Sequence, residues 1–121
     1  MNTRTRVAAP TAVAVAALAT FATLALAACG SAPGKDISIT VQITGSRMTP
    51  AKLTAHQNDK VILSIAADKK EEIHLHGYDY KFEMEPGRTQ TKTFTADKTG
   101  SFEIEIEDTS THLGELDVFP S

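Results

Sequence analysis

Residues 85–106 of the chain read EPGRTQTKTFTADKTGSFEIEI. Pro86-Gly87 is typical of a turn, and the threonine-rich run at 89–95 supplies the β-branched residues that strands favour. A second turn signal at 98–100 leads into three apolar residues that alternate with glutamates. Because successive side chains of a strand point to opposite faces, this alternation predicts a strand with one buried face. The stretch therefore predicts two short β-strands joined by a turn, and the glutamates are most simply interpreted as a solvated face.

Similar patterns continue on both sides of this stretch. The predicted strands cover residues 37–43, 53–56, 60–66, 71–76, 82–84, 89–95, 102–106 and 116–118. Turn signals separate most of them, and no convincing helix follows residue 28. Seven or eight short strands of this kind predict an all-β fold, specifically a Greek-key β-sandwich that spans residues 36–121.

The N-terminus predicts export and lipidation. Arg4 and Arg6 precede an uncharged, alanine-rich stretch that ends at Leu26-Ala27-Ala28-Cys29. This order of basic segment, apolar segment, small residues and cysteine resembles a bacterial lipoprotein signal peptide. An uncleaved transmembrane helix is the alternative, but Pro10 and the weak hydrophobicity of alanine argue against it. We expect residues 1–28 to be removed and Cys29 to carry a covalent lipid that anchors the protein to the outside of a membrane.

The mature chain would be one small, acidic domain. Removing 28 of the 121 residues leaves a lipidated tether at 29–35 and a domain at 36–121. It retains ten basic and fifteen acidic residues, a net charge of −5 with histidine neutral, which argues against nucleic acid as a partner. Cys29 is the only cysteine, so no intramolecular disulfide can form.

Three motifs carry a resemblance to a known family. NDKVIL at 58–63, the stretch at 85–106 and GELDVFP at 114–120 follow one another as in the cupredoxins, which are small copper-protein sandwiches. The resemblance covers nearly all of residues 36–120 and implies the same β-sandwich. It also implies that a histidine-bearing strand and a ligand loop lie at one end of the domain.

The resemblance breaks down at the copper ligands. The family's loop has the form Cys-x-x-His-x-x-Met, and alignment on Phe102 and Gly114 places Ile106, Thr109 and His112 at those three positions. A blue-copper centre requires a copper–thiolate bond, and the one thiol of this chain is expected to be lipidated. We therefore expect no blue-copper electron transfer.

Histidines remain as candidate metal ligands. His74 and His76 are two residues apart in EEIHLHGYDY (71–80), so they would leave the same face of a strand about 6.6–6.8 Å apart at Cα. The resemblance implies that His112 lies towards the same end of the sandwich. The three imidazoles predict a site for Cu(II) or another divalent ion such as Zn(II). Met84 and Tyr78 are weaker candidates, and His56 is left out because it precedes a turn expected at the opposite end.

A metal-free interpretation stays open. Ile73 and Leu75 would fill the core if His74 and His76 faced outward, and exposed histidines need no ligand. The domain would then be a binding or accessory module for a protein partner in the cell envelope. No phosphate-binding, dinucleotide-binding or nucleophile motif indicates an enzyme.

Overall fold

The computed structural model describes residues 8, 30 and 32–121 of the chain. The predicted cleavage site and Cys29 lie outside the described residues. The strands are β1 (Asp36–Thr44), β2 (Arg47–Thr49), β3 (Lys52–His56), β4 (Lys60–Ala67), β5 (Glu71–Leu75), β6 (Tyr80–Met84), β7 (Thr89–Thr95), β8 (Gly100–Ile106) and β9 (Thr111–Phe119). A 3₁₀ helix, Glu107–Thr109, joins β8 to β9.

The strands form two sheets. The four-stranded sheet has the order β2-β1-β4-β7, and the five-stranded sheet has the order β3-β9-β8-β5-β6. The predicted all-β sandwich is confirmed, and the described residues form nine strands rather than seven or eight. The additional strand is β2, whose three residues are too few to produce a periodic pattern in the sequence.

The core lies between the two sheets and consists of alternate residues of the strands. In β5, Ile73 and Leu75 are both 0% exposed, and they pair with Ile106 and Ile104 of β8. Since side chains alternate along a strand, the residues between them face away from the core. His74 therefore lies on the outer face of the five-stranded sheet.

A β-bulge in β9 decides which way His112 points. Gly114 pairs with Ile104, but His112 pairs with Glu105, so Leu113 has no partner of its own across β8. Leu113 and Gly114 are both buried, which breaks the alternation. A bulge inserts one extra residue into one strand and reverses the facing of the residues beyond it. His112 is consequently placed on the outer face of the sheet.

The described chain enters the sandwich at one end, which we call the entry end. The amide of Lys35 donates to Asp59 at 2.8 Å, and the Lys35 carbonyl accepts from the amide of Lys60. His56 pairs with Phe119 at this same end. β9 runs from Thr111 to Phe119, so the 3₁₀ helix lies about 26 Å away at the distal end.

Within the described part of the chain, no helix is both long enough and apolar enough to cross a bilayer.

Candidate metal centre

Three glutamates of one stretch each contact a histidine on the outer face of the five-stranded sheet. The closest nitrogen–oxygen distances are 3.0 Å for His112 and Glu103, 2.7 Å for His76 and Glu105, and 2.8 Å for His74 and Glu107. Alternation along β8 turns Glu103 and Glu105 outward, and Glu107 opens the 3₁₀ helix that follows. The interpretation of these glutamates as a merely solvated face was incomplete, because each of them has a specific partner.

Four of these residues converge on one place. Each of His74, His76, Glu105 and Glu107 offers a donor atom, and these atoms all lie within 4.8 Å of one another. The rings of His74 and His76 lie side by side, with centroids 4.2 Å apart and planes inclined by 39°. We call these four residues the His-Glu group. Two imidazole nitrogens and two carboxylates at this separation could hold a metal ion.

His74 is enclosed by carboxylates on two sides. Its Nδ1 lies 2.8 Å from Oε2 of Glu107, and its Nε2 lies 2.8 Å from Oδ1 of Asp79. His74 is only 9% exposed, so few other partners reach the ring. A neutral imidazole has one N–H and one lone pair, and it can donate to only one of two carboxylates. The second nitrogen would then turn its lone pair towards a carboxylate, and a metal ion bound by both groups would remove that repulsion.

His76 forms the open side of the group. It follows β5 directly, and its backbone amide donates to the carbonyl of Glu103, which extends the pairing with β8. Its side chain is 43% exposed, whereas that of its partner Glu105 is only 13% exposed. An ion could thus reach the group past His76, while Glu105 is held against the protein surface.

One ammonium group balances part of this negative charge. Lys81 is the cross-strand neighbour of His74, and its Nζ lies 2.8 Å from Oε1 of Glu72 and 3.5 Å from Oε1 of Glu107. The hydrogen bond to Glu72 raises the pKa of Lys81, and the same bond lowers the pKa of Glu72. Lys81 thus remains a cation beside the His-Glu group.

The histidines predicted as ligands are only partly brought together. His74 and His76 are adjacent, as described above. His112 shares their face and is the cross-strand partner of Glu105, but its Nδ1 contacts Glu103 and it does not belong to the His-Glu group. His56 lies at the entry end beside Phe119, apart from the group.

The weaker candidates have structural roles. Met84 is 1% exposed and belongs to the core. Tyr78 donates to the carbonyl of Lys98 and packs against Phe94 and Phe102. Neither side chain belongs to the His-Glu group.

Sequence reasoning did not identify Glu105, Glu107 or Asp79 as parts of a site. The first two face the histidines only through the register of β5 against β8, in which His74 pairs with Glu105. A turn after β5 brings the side chain of Asp79 into contact with His74. The one available signal was the spacing of Glu105 and Glu107, which are two residues apart like His74 and His76.

A blue-copper centre needs a thiolate ligand, which the residues at the corresponding positions of this chain do not supply. Ile106, at the family's cysteine position, is 6% exposed and packs in the core, and the Thr109 hydroxyl bonds to that of Thr111. These residues do not fit a blue-copper centre. The His-Glu group does fit a divalent ion of borderline character, such as Cu(II) or Zn(II), which is bound by imidazole and carboxylate.

Comparison with known proteins supports the fold. No protein-family model matches the chain, and no curated protein sequence matches it. A copper-binding protein solved in its apo form superposes with a TM-score of 0.60 at 13% identity, over 70% of this chain and 89% of that one. The metal-binding domain of the Cu(I)-exporting P-type ATPase of Streptococcus pneumoniae D39, solved with Cu(I), gives 0.60 at 15% identity, over 69% and 85%.

A larger enzyme contains the same sandwich. Copper nitrite reductase from Nitrosomonas europaea matches with a TM-score of 0.54 at 17% identity, over 72% of this chain and 42% of the enzyme. At these identities the likeness concerns the fold alone. The described part of the chain is a cupredoxin-like β-sandwich with a His-Glu group on the outer face of its five-stranded sheet.

Proposed function

We propose that this protein is a membrane-anchored, extracytoplasmic lipoprotein whose cupredoxin-like domain binds Cu(II) or another divalent ion, for handling or sensing of that ion. The observation that carries the proposal is the His-Glu group, in which donor atoms from His74, His76, Glu105 and Glu107 all lie within 4.8 Å of one another. These residues would hold the ion, which would bring the positive charge that balances two carboxylates.

The donor atoms indicate which ions fit. Imidazole nitrogen and carboxylate oxygen suit Cu(II) and Zn(II), whereas Cu(I) prefers the sulfur of cysteine and methionine. The His-Glu group contains no sulfur, and Met48 and Met84 are buried in the core at 3% and 1% exposure. The proposed site therefore favours divalent ions over Cu(I).

The residues at the cupredoxin ligand positions also distinguish the protein from blue-copper electron carriers. Fast electron transfer in a blue-copper protein depends on a copper–thiolate bond. Ile106 and Thr109 offer no sulfur ligand at the corresponding positions. We therefore propose metal binding, and not blue-copper electron transfer, for the domain.

The anchoring part of the proposal rests on Leu26-Ala27-Ala28-Cys29. A lipid at Cys29 would lie six residues before Lys35, where the described chain enters the sandwich. The entry end would then face the membrane. Glu107 belongs to the distal end, so the His-Glu group would be accessible from the aqueous side, where metal ions and protein partners of the envelope are found.

The test is a competition titration of the purified full-length chain, carrying Cys29→Ser so that no thiol competes, against chelators of known affinity. We expect one Cu(II) or Zn(II) ion to bind per chain, and His76→Ala to weaken binding by more than the roughly 10–100-fold cost of losing an outer-shell partner. His56→Ala, a matched substitution at the entry end, should leave the affinity unchanged. Equal binding by both variants, or by denatured chain, would contradict the proposal and favour a metal-free module.

A further inference from the structure

A tight turn between β5 and β6 aims a carboxylate at the buried histidine of the group. Asp79 lies five residues after His74, and its Oδ1 approaches Nε2 of that ring to 2.8 Å. The side chain of Asp79 is 84% exposed, in contrast to the ring that it contacts. Asp79 is not one of the four residues whose donor atoms converge.

The backbone of this turn adopts conformations that few residues tolerate. Asp79 has φ 57° and Gly77 has φ 76°, both in the left-handed region. Aspartate is one of the few non-glycine residues that enter this region readily, and such conformations persist only where the surrounding structure holds them. A Cβ on Gly77 would clash with Cδ1 of the Phe102 ring, so this position also requires glycine.

A neighbouring loop holds the turn in place. The hydroxyl of Tyr78 donates to the carbonyl of Lys98 and accepts from its backbone amide, at 2.8 Å and 3.1 Å. The ammonium of Lys98 donates to the carbonyl of Gly77 at 2.7 Å. The Tyr78 ring packs against Phe102 with centroids 4.7 Å apart. Asp79 is thus presented to His74 by a turn that is fixed on both sides.

The two nitrogens of His74 are consequently not equivalent. The two ring nitrogens point in different directions in the plane of the ring, so an ion bound at one nitrogen can share only the carboxylate that faces that nitrogen. Nδ1 faces Glu107, which belongs to the His-Glu group, whereas Nε2 faces Asp79, which does not. An ion held by the group would bind Nδ1, and Nε2 would keep its hydrogen and donate it to Asp79.

We propose that Asp79 is a positioning residue for the metal site, which fixes the orientation and tautomer of His74 so that Nδ1 is presented to the ion. This inference rests on the proposed function. Histidine ligands commonly donate their second ring N–H to a carboxylate, which orients the ring and makes it a better ligand. Here the carboxylate of Asp79 contacts His74 from the direction of the entry end. Glu107 would contact the ion from the direction of the distal end.

Two substitutions distinguish the effect of the Asp79 carboxylate from the effect of the turn backbone. Asp79→Gly removes the carboxylate at a position where glycine adopts positive φ without steric strain, so we expect the variant to fold. Asp79→Asn keeps a hydrogen-bond acceptor at Oδ1 and removes the charge. Asp36→Asn is the control, because Asp36 is an exposed aspartate of the other sheet that pairs with Lys60. All variants are made in the full-length chain with Cys29→Ser.

The first readout is affinity for Zn(II) and Cu(II). Asp79→Gly should weaken binding by about 10–100-fold, as loss of an outer-shell partner does. Asp79→Asn should weaken it less, and Asp36→Asn should bind like the parent chain. Binding by Asp79→Gly equal to that of the parent would overturn the inference while leaving the proposed function intact. A parent chain that binds no ion would overturn both.

The second measurement reports which nitrogen of His74 carries hydrogen and which binds the metal ion. In the Zn(II)-loaded parent chain, ¹⁵N nuclear magnetic resonance of His74 should show a protonated Nε2 and a metal-bound Nδ1. In Asp79→Gly the protonated Nε2 signal should broaden or divide between tautomers. Metal on Nε2 in the parent chain, or an unchanged His74 spectrum in Asp79→Gly, would contradict the positioning role.

Discussion

Nε2 of His76 lies 2.7 Å from Oε1 of Glu105, a residue 29 positions away along the chain. Only the pairing of β5 with β8 brings the two together, because His74 pairs with Glu105 and His76 follows β5 directly. The His-Glu group is therefore a product of tertiary structure. Unfolded chain retains the same histidines and glutamates without this arrangement, which makes it a proper control for the binding experiments.

Two glutamates on the outer face of β8 provide a matched pair of substitutions. Glu105 belongs to the His-Glu group, whereas Glu103 contacts His112 beside it. We expect Glu105→Gln to weaken Cu(II) binding strongly, because it removes an anionic oxygen ligand, and Glu103→Gln to change the affinity much less. Isothermal titration of both variants provides the measurement. A larger loss of affinity in Glu103→Gln than in Glu105→Gln would instead indicate that the metal site lies beside His112.

Removing Lys81 should strengthen metal binding. Its ammonium lies 3.5 Å from Oε1 of Glu107 and would repel an incoming cation. Lys81→Met should raise the affinity for Zn(II) several-fold at low ionic strength, with a smaller gain at high salt because ions screen the repulsion. Lys60→Met, which removes an exposed lysine of the other sheet, serves as the control. A loss of affinity in Lys81→Met would show that the lysine supports the site.

Asp59 should make the stability of the domain depend on pH. Its carboxylate accepts the backbone N–H groups of Lys35 and His56, each at 2.8 Å, and the bond from Lys35 is the main cause of the lowered pKa of Asp59. A lowered pKa in the folded state means that ionised Asp59 stabilises the fold, and that this contribution is lost as the pH falls through that lowered value. Asp59→Asn should therefore reduce the melting temperature at neutral pH.

The difference in melting temperature between wild type and Asp59→Asn should shrink on acidification, since the wild type then also loses the ionised carboxylate. Thermal melts followed by circular dichroism at several pH values test this. A difference that stays constant down to strongly acidic pH would contradict the role assigned to the ionised form.

The predicted anchor can be tested independently of the metal site. Cys29→Ala should abolish incorporation of radiolabelled palmitate in a bacterial host and should leave the N-terminal segment unprocessed at that position. Equal labelling of wild type and variant would show that Cys29 is not the lipidated residue.

The fold was predictable because most strands show apolar alternation within a few consecutive residues. The alternation of Ile37, Ile39, Val41 and Ile43 marks β1, and similar runs mark most of the other strands. In β5, the sequence left open whether Ile73 and Leu75 or the two histidines face inward, since both sets alternate. The structure places Ile73 and Leu75 in the core, which is the arrangement considered under the metal-free interpretation. The histidines nevertheless gain carboxylate partners on the outer face.

The composition of the candidate site was not predictable, because it depends on strand register and on a bulge. Nothing local shows that Glu105 lies opposite His74, or that Leu113 is the extra residue that turns His112 outward. The contact between Asp79 and His74 depends on positive φ angles at Gly77 and Asp79. Sequence periodicity carries no information on these long-range relationships.

Electron paramagnetic resonance of the full-length Cys29→Ser chain, loaded with one equivalent of Cu(II), tests whether the His-Glu group binds a metal ion. We expect copper to be coordinated by nitrogen from the imidazoles of His74 and His76 together with oxygen. This nitrogen coupling should be lost in the His74→Ala, His76→Ala double variant but not in His56→Ala. A spectrum identical to that of denatured chain, or one left unchanged by the double substitution, would contradict it.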